Sequence, residues 1–196
     1  MNKDLLRDNY LIVRNFINKD YCNLLANYHK DNQNYLYDDY QVEGSRSRVN
    51  PTCALEIQCM ELRRISDIIQ KPIFPTYNLI RLYTNGNELK KHTDRRACEI
   101  SVTLHLGGDL EWPIWIETPN GEFKSVNLQT GDIMIYLGCI APHWRDIYKG
   151  EWYCQVFLHY VRSQGMFSNY FYDLEKSNLD CDLKDIEKLK KEYSLL

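Results

Sequence analysis

The chain is short of several features that define large classes of protein. No window approaches the ~20 consecutive apolar residues of a membrane-spanning helix, so no such helix is expected. Its first residues, Met1-Asn-Lys-Asp-Leu-Leu-Arg7, carry charges where a secretory leader is apolar, and no leader is expected there. The seven cysteines form no CxxC pair and are odd in number. That argues against a structural zinc knot or a disulfide framework and predicts reduced thiols in a cytoplasmic compartment. A net positive charge is also lacking. Net charge is -3 and pI is near 6.0, so a nucleic-acid partner has no global electrostatic support. Histidine is scarce, with five in 196 residues.

What is present reads as a globular domain. Hydrophobic residues make up 44% of the chain and charged residues 26%, and 196 residues bury a sizeable core without staples. No repeat, linker or composition shift divides it, so one domain is expected over 1–196. Within it, 1–75 reads as an opening strand with supporting helices, 76–162 as a β core and 163–196 as an extension with a helix.

Tyr10-Leu-Ile-Val-Arg-Asn-Phe16 has the β-branched, apolar character of a strand. Asn18 is placed to cap a following helix with Cys22, Leu24, Leu25 and Tyr28 as its apolar residues and His29 at an exposed end. Residues 31–52 read as loop, and the apolar spacing from Cys53 to Gln70 predicts one helix. From Thr76 the period changes to that of strands: 77–83, 89–92, 99–106, 112–117, 123–128, 133–136 and 152–161, separated by Gly-, Asn- and Pro-containing turns. Residues 180–193 read as an amphipathic helix. The predicted fold class is mainly β with flanking helices, a jelly-roll or cupin-like core buttressed by N-terminal helices and a C-terminal helix. The oligomeric state is not encoded in any motif.

His92 and Asp94 are two apart at the end of a predicted strand, so their side chains share a face and can bind one metal. His143, 49 residues further on (143 − 94), lies beyond Gly131-Asp132 and the strand after it. Two imidazoles and one carboxylate leave three positions of an octahedral metal open, which suits iron(II), a bidentate 2-oxo acid and dioxygen. A hydrolytic zinc site uses a tetrahedral set with one open position. An isolated His-x-Asp is weak evidence by itself, since such triplets also occur on solvated loops.

The ordered series Tyr83-x-x-Gly86, His92-x-Asp94, Gly131-Asp132, Pro142-His143 and Val156-Phe-Leu-His-Tyr-Val161 resembles the 2-oxoglutarate and Fe(II)-dependent dioxygenases, specifically the prolyl 4-hydroxylase-like branch, over most of the chain. The resemblance implies a double-stranded β-helix and an enzyme that hydroxylates a C–H bond, of a prolyl or another amino-acid residue by default. It implies Fe(II), 2-oxoglutarate and O2, with ascorbate as a candidate reductant, and a peptide or small-molecule substrate. His92, Asp94 and His143 carry over as iron ligands and catalytic residues, and Tyr83 as a cosubstrate-pocket tyrosine.

One departure stands out. Those hydroxylases place an Arg or Lys about nine to eleven residues after the distal histidine, against the far carboxylate of 2-oxoglutarate. Here Trp152, Tyr153 and Cys154 occupy those positions. A buried carboxylate still needs a cation or several donors. Three substitutes are available: Arg145, two residues beyond His143; Arg81, on the face of Tyr83; and His105, on the polar side of Glu99-Ser101-Thr103-His105. Arg145 is favoured because guanidinium grips a carboxylate bidentately, the competing reading being an ion pair with Asp146. Arg81 and His105 are more simply structural, His159 reads as a hydrogen-bonded strand residue, and Arg95 and Arg96 read as solvated charge. Trp112, Trp115, Trp144 and Trp152 read as core, with a substrate groove as the alternative. Two readings from other classes stay open: a non-enzymatic cupin-like metal- or ligand-binding protein, and a metal-dependent hydrolase or isomerase on a cupin-like barrel.

Overall fold

The computed structural model describes residues 1–173 and 180–196. Asn2 caps a short helix, α1 (Lys3–Asp8), that leads into β1 (Tyr10–Val13). Asn18 accepts from the backbone N–H of Asp20 and Tyr21 and so starts α2 (Lys19–Asp31) where the sequence predicts it. This helix buries Cys22, Ala26 and His29 while Leu24 and Tyr28 face solvent. His29 is therefore buried, 4% exposed, contrary to expectation, because α2 lies across the large sheet and its imidazole meets Cys53 at 3.5 Å. The expected loop 31–52 contains β2 (Tyr37–Asp38) and β3 (Arg46–Val49). The single helix expected over 53–70 is two, α3 (Thr52–Met60) and α4 (Leu62–Ile69), meeting at Glu61. Gln70 in the left-handed region and Pro72 then stop it.

Eight strands follow: β4 (Ile73–Thr84), β5 (Leu89–His92), β6 (Ile100–Gly108), β7 (Ile114–Glu117), β8 (Phe123–Val126), β9 (Ile133–Tyr136), β10 (His143–Arg145) and β11 (Trp152–Arg162). They form a seven-stranded antiparallel sheet, β1-β9-β6-β11-β4-β3-β2, and a four-stranded one, β5-β10-β7-β8. These are the two faces of a jelly roll, and α5 (Leu183–Tyr193), capped by Asp182, packs at the end of the chain.

The alternation along the central strands sets which face does what. On β6, Ile100, Val102, Leu104 and Leu106 point to the helices and join the main core with Ile80, Val156, Leu158, Ile65 and Ile69. Burying each such aliphatic side chain contributes about 1.5–3 kcal/mol. The opposite face carries Ser101, Thr103 and His105 on β6, Arg81 and Tyr83 on β4, and Tyr153, Gln155, Phe157 and His159 on β11. All are buried between the two sheets. The interior of the jelly roll is thus polar and aromatic.

Gly131-Asp132 ties the opening strand to this framework. Gly131 O accepts from Phe16 N and Ile17 N, and a Cβ on Gly131 would collide with the Ile17 carbonyl. Asp132 accepts from Asn15 N, Gln129 N and the Arg14 guanidinium.

Candidate metal centre

β5 ends at His92, and β10 begins at His143. The two residues are direct partners in the antiparallel β5–β10 ladder. Asp94 follows β5 and is fixed by its own N–H to Gly138 O at 2.9 Å. Three residues from two segments thereby converge, with their ligating atoms all within 4.8 Å of one another. Each imidazole Nδ1 lies against a backbone carbonyl, Lys90 O at 2.8 Å for His92 and Ala141 O at 2.9 Å for His143. A carbonyl only accepts, so Nδ1 carries the proton and the Nε2 lone pair is left to ligate. Both Nε2 atoms stand 3.6 Å from Asp94 Oδ1. Two imidazoles and one carboxylate, preset in tautomer and facing one point, fit a divalent first-row metal with open positions.

The electrostatics suit ligation. Burial pushes the His143 imidazole down to about 4, which keeps it neutral. Burial also acts on His92, but the Asp94 carboxylate outweighs it and holds that imidazole above its ordinary value. For Asp94 burial opposes the charge, and His143 and His92 more than compensate, so its carboxyl lies well below the usual range.

The triad opens on a cleft of about 460 Å³ whose walls include Tyr40, Tyr77, Leu79, Arg81 and Phe157. Gln41 reaches in from the β2–β3 connection. Its amide donates to His92 Nε2 at 3.0 Å, and its Oε1 accepts from Arg81 at 2.8 Å. A metal on that lone pair excludes the first bond.

The three residues proposed against a far carboxylate lie in different settings. Arg145 is 1% exposed, enclosed by Trp112 and Tyr153, with its guanidinium 4.9 and 5.1 Å from their ring centres. Its Nη1 donates to Trp112 O, whereas Nε and Nη2 are buried and, among the described residues, make no hydrogen bond of good geometry. The expected competitor Asp146 is engaged elsewhere, with the indoles of Trp112 and Trp115. Arg81 is already neutralised by Asp39 through Nε and Nη2 and donates through Nη1 to the Tyr83 hydroxyl. His105 stacks on Tyr153 at 4.4 Å, its Nδ1 lacks a partner among the described residues, and burial and the nearby Arg145 charge push it down to about 3. Tyr83 is fully buried and edge-on to Trp112, outside the cleft wall.

Arg95 and Arg96 are not solvated charge. Arg95 is 8% exposed and pairs with Asp173, and Arg96 pairs with Asp185, so both tether the C-terminal extension to the loop after Asp94. Of the tryptophans, Trp112 lies between the sheets, while Trp115 and Trp144 stack on the outer face of the small sheet and Trp152 meets Lys30. None forms part of the cleft wall. Sequence reading missed Gln41, in a segment without any pattern, and Ser101, whose hydroxyl holds Asp94 Oδ2 at 2.7 Å. Cys98 and His159 also lie near Asp94, but that hydroxyl occupies the space between Asp94 and His159, so these groups read as a hydrogen-bonded surround.

The fold is that of the 2-oxoglutarate and Fe(II)-dependent oxygenases, including the prolyl 4-hydroxylase-like branch. Three solved structures illustrate it. A prolyl-4-hydroxylase from Pseudomonas putida superposes with a TM-score of 0.66 at 16% identity, covering 81% of this chain and 95% of that one. HygX from Streptomyces hygroscopicus, solved with nickel, 2-oxoglutarate and hygromycin B bound, gives 0.66 at 8% identity over 84% and 88%. An oxidoreductase of the 2OG-Fe(II) oxygenase family from Burkholderia pseudomallei gives 0.64 at 12% identity over 83% and 90%. No protein-family model matches the chain, and no curated protein matches it in sequence.

Proposed function

We propose that the chain is an Fe(II)- and 2-oxoglutarate-dependent dioxygenase that hydroxylates a C–H bond of a peptide or small-molecule substrate. The observation that carries this reading is the convergence of His92, Asp94 and His143 with both Nε2 lone pairs preset toward one carboxylate oxygen. Bound iron supplies the oxidising chemistry at the expense of converting 2-oxoglutarate and O2 to succinate and CO2.

The chain's own residues divide the remaining work. His92, Asp94 and His143 hold the metal. Arg145, a buried cation with two unfilled donors, grips the far carboxylate, with His105 and Tyr153 beside it. A cation so enclosed is costly unless an anion arrives to pair with it. Tyr83 backs this compartment, and Arg81 serves the cleft wall through its pair with Asp39. The aromatic walls from Tyr40, Tyr77 and Phe157 receive the substrate and exclude water. A prolyl or other amino-acid residue is the default substrate, on the strength of the fold shared with the bacterial prolyl-4-hydroxylase. The seven free cysteines suit a reducing, cytoplasmic setting.

The test is anaerobic addition of Fe(II) and 2-oxoglutarate, read as a weak visible charge-transfer band that requires both on one centre. Air then yields succinate. Tightly held zinc with no band and no succinate would instead favour a hydrolytic site.

A further inference from the structure

On β11, His159 lies directly across from Ser101 on β6. On its other side the β4–β11 ladder is irregular: between the Leu158–Asn78 and Tyr160–Pro75 pairs, β4 carries two residues, Thr76 and Tyr77, opposite the single His159. Such a bulge re-aims side chains and leaves carbonyls without ladder partners. Here the Gln58 amide, from α3, donates to both Tyr77 O and His159 O. Tyr77 folds over His159, ring on ring at 4.5 Å.

The imidazole so held meets Ser101. His159 Nδ1 lies 3.0 Å from Ser101 Oγ, which in turn lies 2.7 Å from Asp94 Oδ2. The direction of these bonds follows from the groups. An ionised carboxylate only accepts, so the Ser101 hydroxyl donates to Asp94 and accepts from a protonated Nδ1 of His159. The other oxygen of Asp94, Oδ1, faces His92 and His143. A second constraint closes the same side: a Cβ on Gly138 would collide with Asp94 Oδ2, Ser101 Oγ and Cys98 O.

We propose that His159 and Ser101 are positioning residues that, acting in series, hold Asp94 Oδ2 away from the metal so that the carboxylate presents a single oxygen. A carboxylate free to turn can bind through both oxygens and take one of the positions that a cosubstrate needs. A partner one hydrogen bond removed from a ligand, as Ser101 is, is typically worth about 10–100-fold in metal affinity, and His159 acts one bond further out. The inference rests on the proposed metal role of the triad.

The experiment is a Co(II) titration of the full chain, followed by calorimetry and by the visible spectrum of the bound ion. His159→Phe, which keeps a ring against Tyr77 but has no nitrogen, is expected to bind Co(II) about tenfold more weakly, with a changed spectrum. His159→Asn, whose amide N–H sits close to the place of Nδ1–H, is expected to stay within about threefold of wild type, by the same reasoning. A role in packing alone predicts the reverse order. Ser101→Ala should weaken binding and Ser101→Thr should preserve it, which keeps the test decisive if a His159 variant does not fold. Wild-type affinity and spectrum in His159→Phe and Ser101→Ala would overturn the inference while leaving the metal site standing. A wild-type chain that takes up no Co(II) would overturn the metal reading and this inference with it.

Discussion

His92 and His143 are cross-strand partners, and both reach the same oxygen of Asp94 at 3.6 Å. The pairing of two short strands, β5 and β10, therefore does what no local motif can. It brings a third candidate ligand to a pair supplied by one stretch of chain. Whatever loosens that ladder loosens the site.

Replacing Asp94 or His143 by Ala is expected to remove metal binding and succinate formation together. The loss should exceed the roughly 10–100-fold caused by removing an outer partner of a ligand. Calorimetric metal titration, with far-UV circular dichroism to confirm folding, checks it; near-normal turnover in either variant would sink the assignment.

Arg145 and Arg81 should separate cleanly. Arg145→Met is expected to lower 2-oxoglutarate affinity by two orders of magnitude or so while metal binding persists, since charge-assisted bidentate bonds are lost. Arg81→Met leaves Asp39 buried and unpaired, so its main effect should be on stability, about 3–5 kcal/mol. Urea unfolding and cosubstrate titration on the two variants distinguish these effects.

Metal affinity should rise with pH through neutrality. The ligating form of each imidazole is neutral, and metal competes with the proton. His143, held near 4, is neutral across this range and contributes no dependence. His92 is held above its ordinary value by Asp94, so a proton competes with the metal for its Nε2 up to a higher pH than on an ordinary imidazole. Affinity therefore falls as pH drops below the His92 value. Calorimetry in buffers of different ionisation heat should register the proton release.

Glu99 is expected to anchor the C-terminal helix. It is fully buried, accepts from Arg162 and from the Tyr193 hydroxyl, and Arg162 also holds Glu192. Glu99→Ala leaves Arg162 without its buried partner and should cost about 3–5 kcal/mol. Urea unfolding measures the cost, and faster proteolysis around 183–193 should report the helix undocking.

Much of this architecture was legible in the residues. The alternation Ile100-Ser-Val-Thr-Leu-His105 assigns one side of β6 to the core and the other to the interior, because a strand's side chains have period two. Asn18 announces α2 because its side chain satisfies N–H groups that a helix start leaves orphaned. Elsewhere local reading misled. Residues 31–52 read as loop because β2 and β3 are short and polar, and they are strands only because β3 pairs with β4 and β2 with β3. His29 looked exposed on a polar helix end, yet the helix is rotated to bury Cys22, Ala26 and His29 together.

What the sequence by itself determined is the candidate triad: His92-x-Asp94 puts two ligating groups side by side at a strand end, and few histidines compete for the third place. How the two candidate arginines are paired was decided only by the tertiary structure. Arg81 and Arg145 are the same residue type and both are buried. Arg81 is neutralised by Asp39, 42 residues away in the chain, whereas among the described residues no hydrogen bond of good geometry fills Nε or Nη2 of Arg145. Pairing across such distances depends on where sheets and connections come to rest, and no local pattern records it.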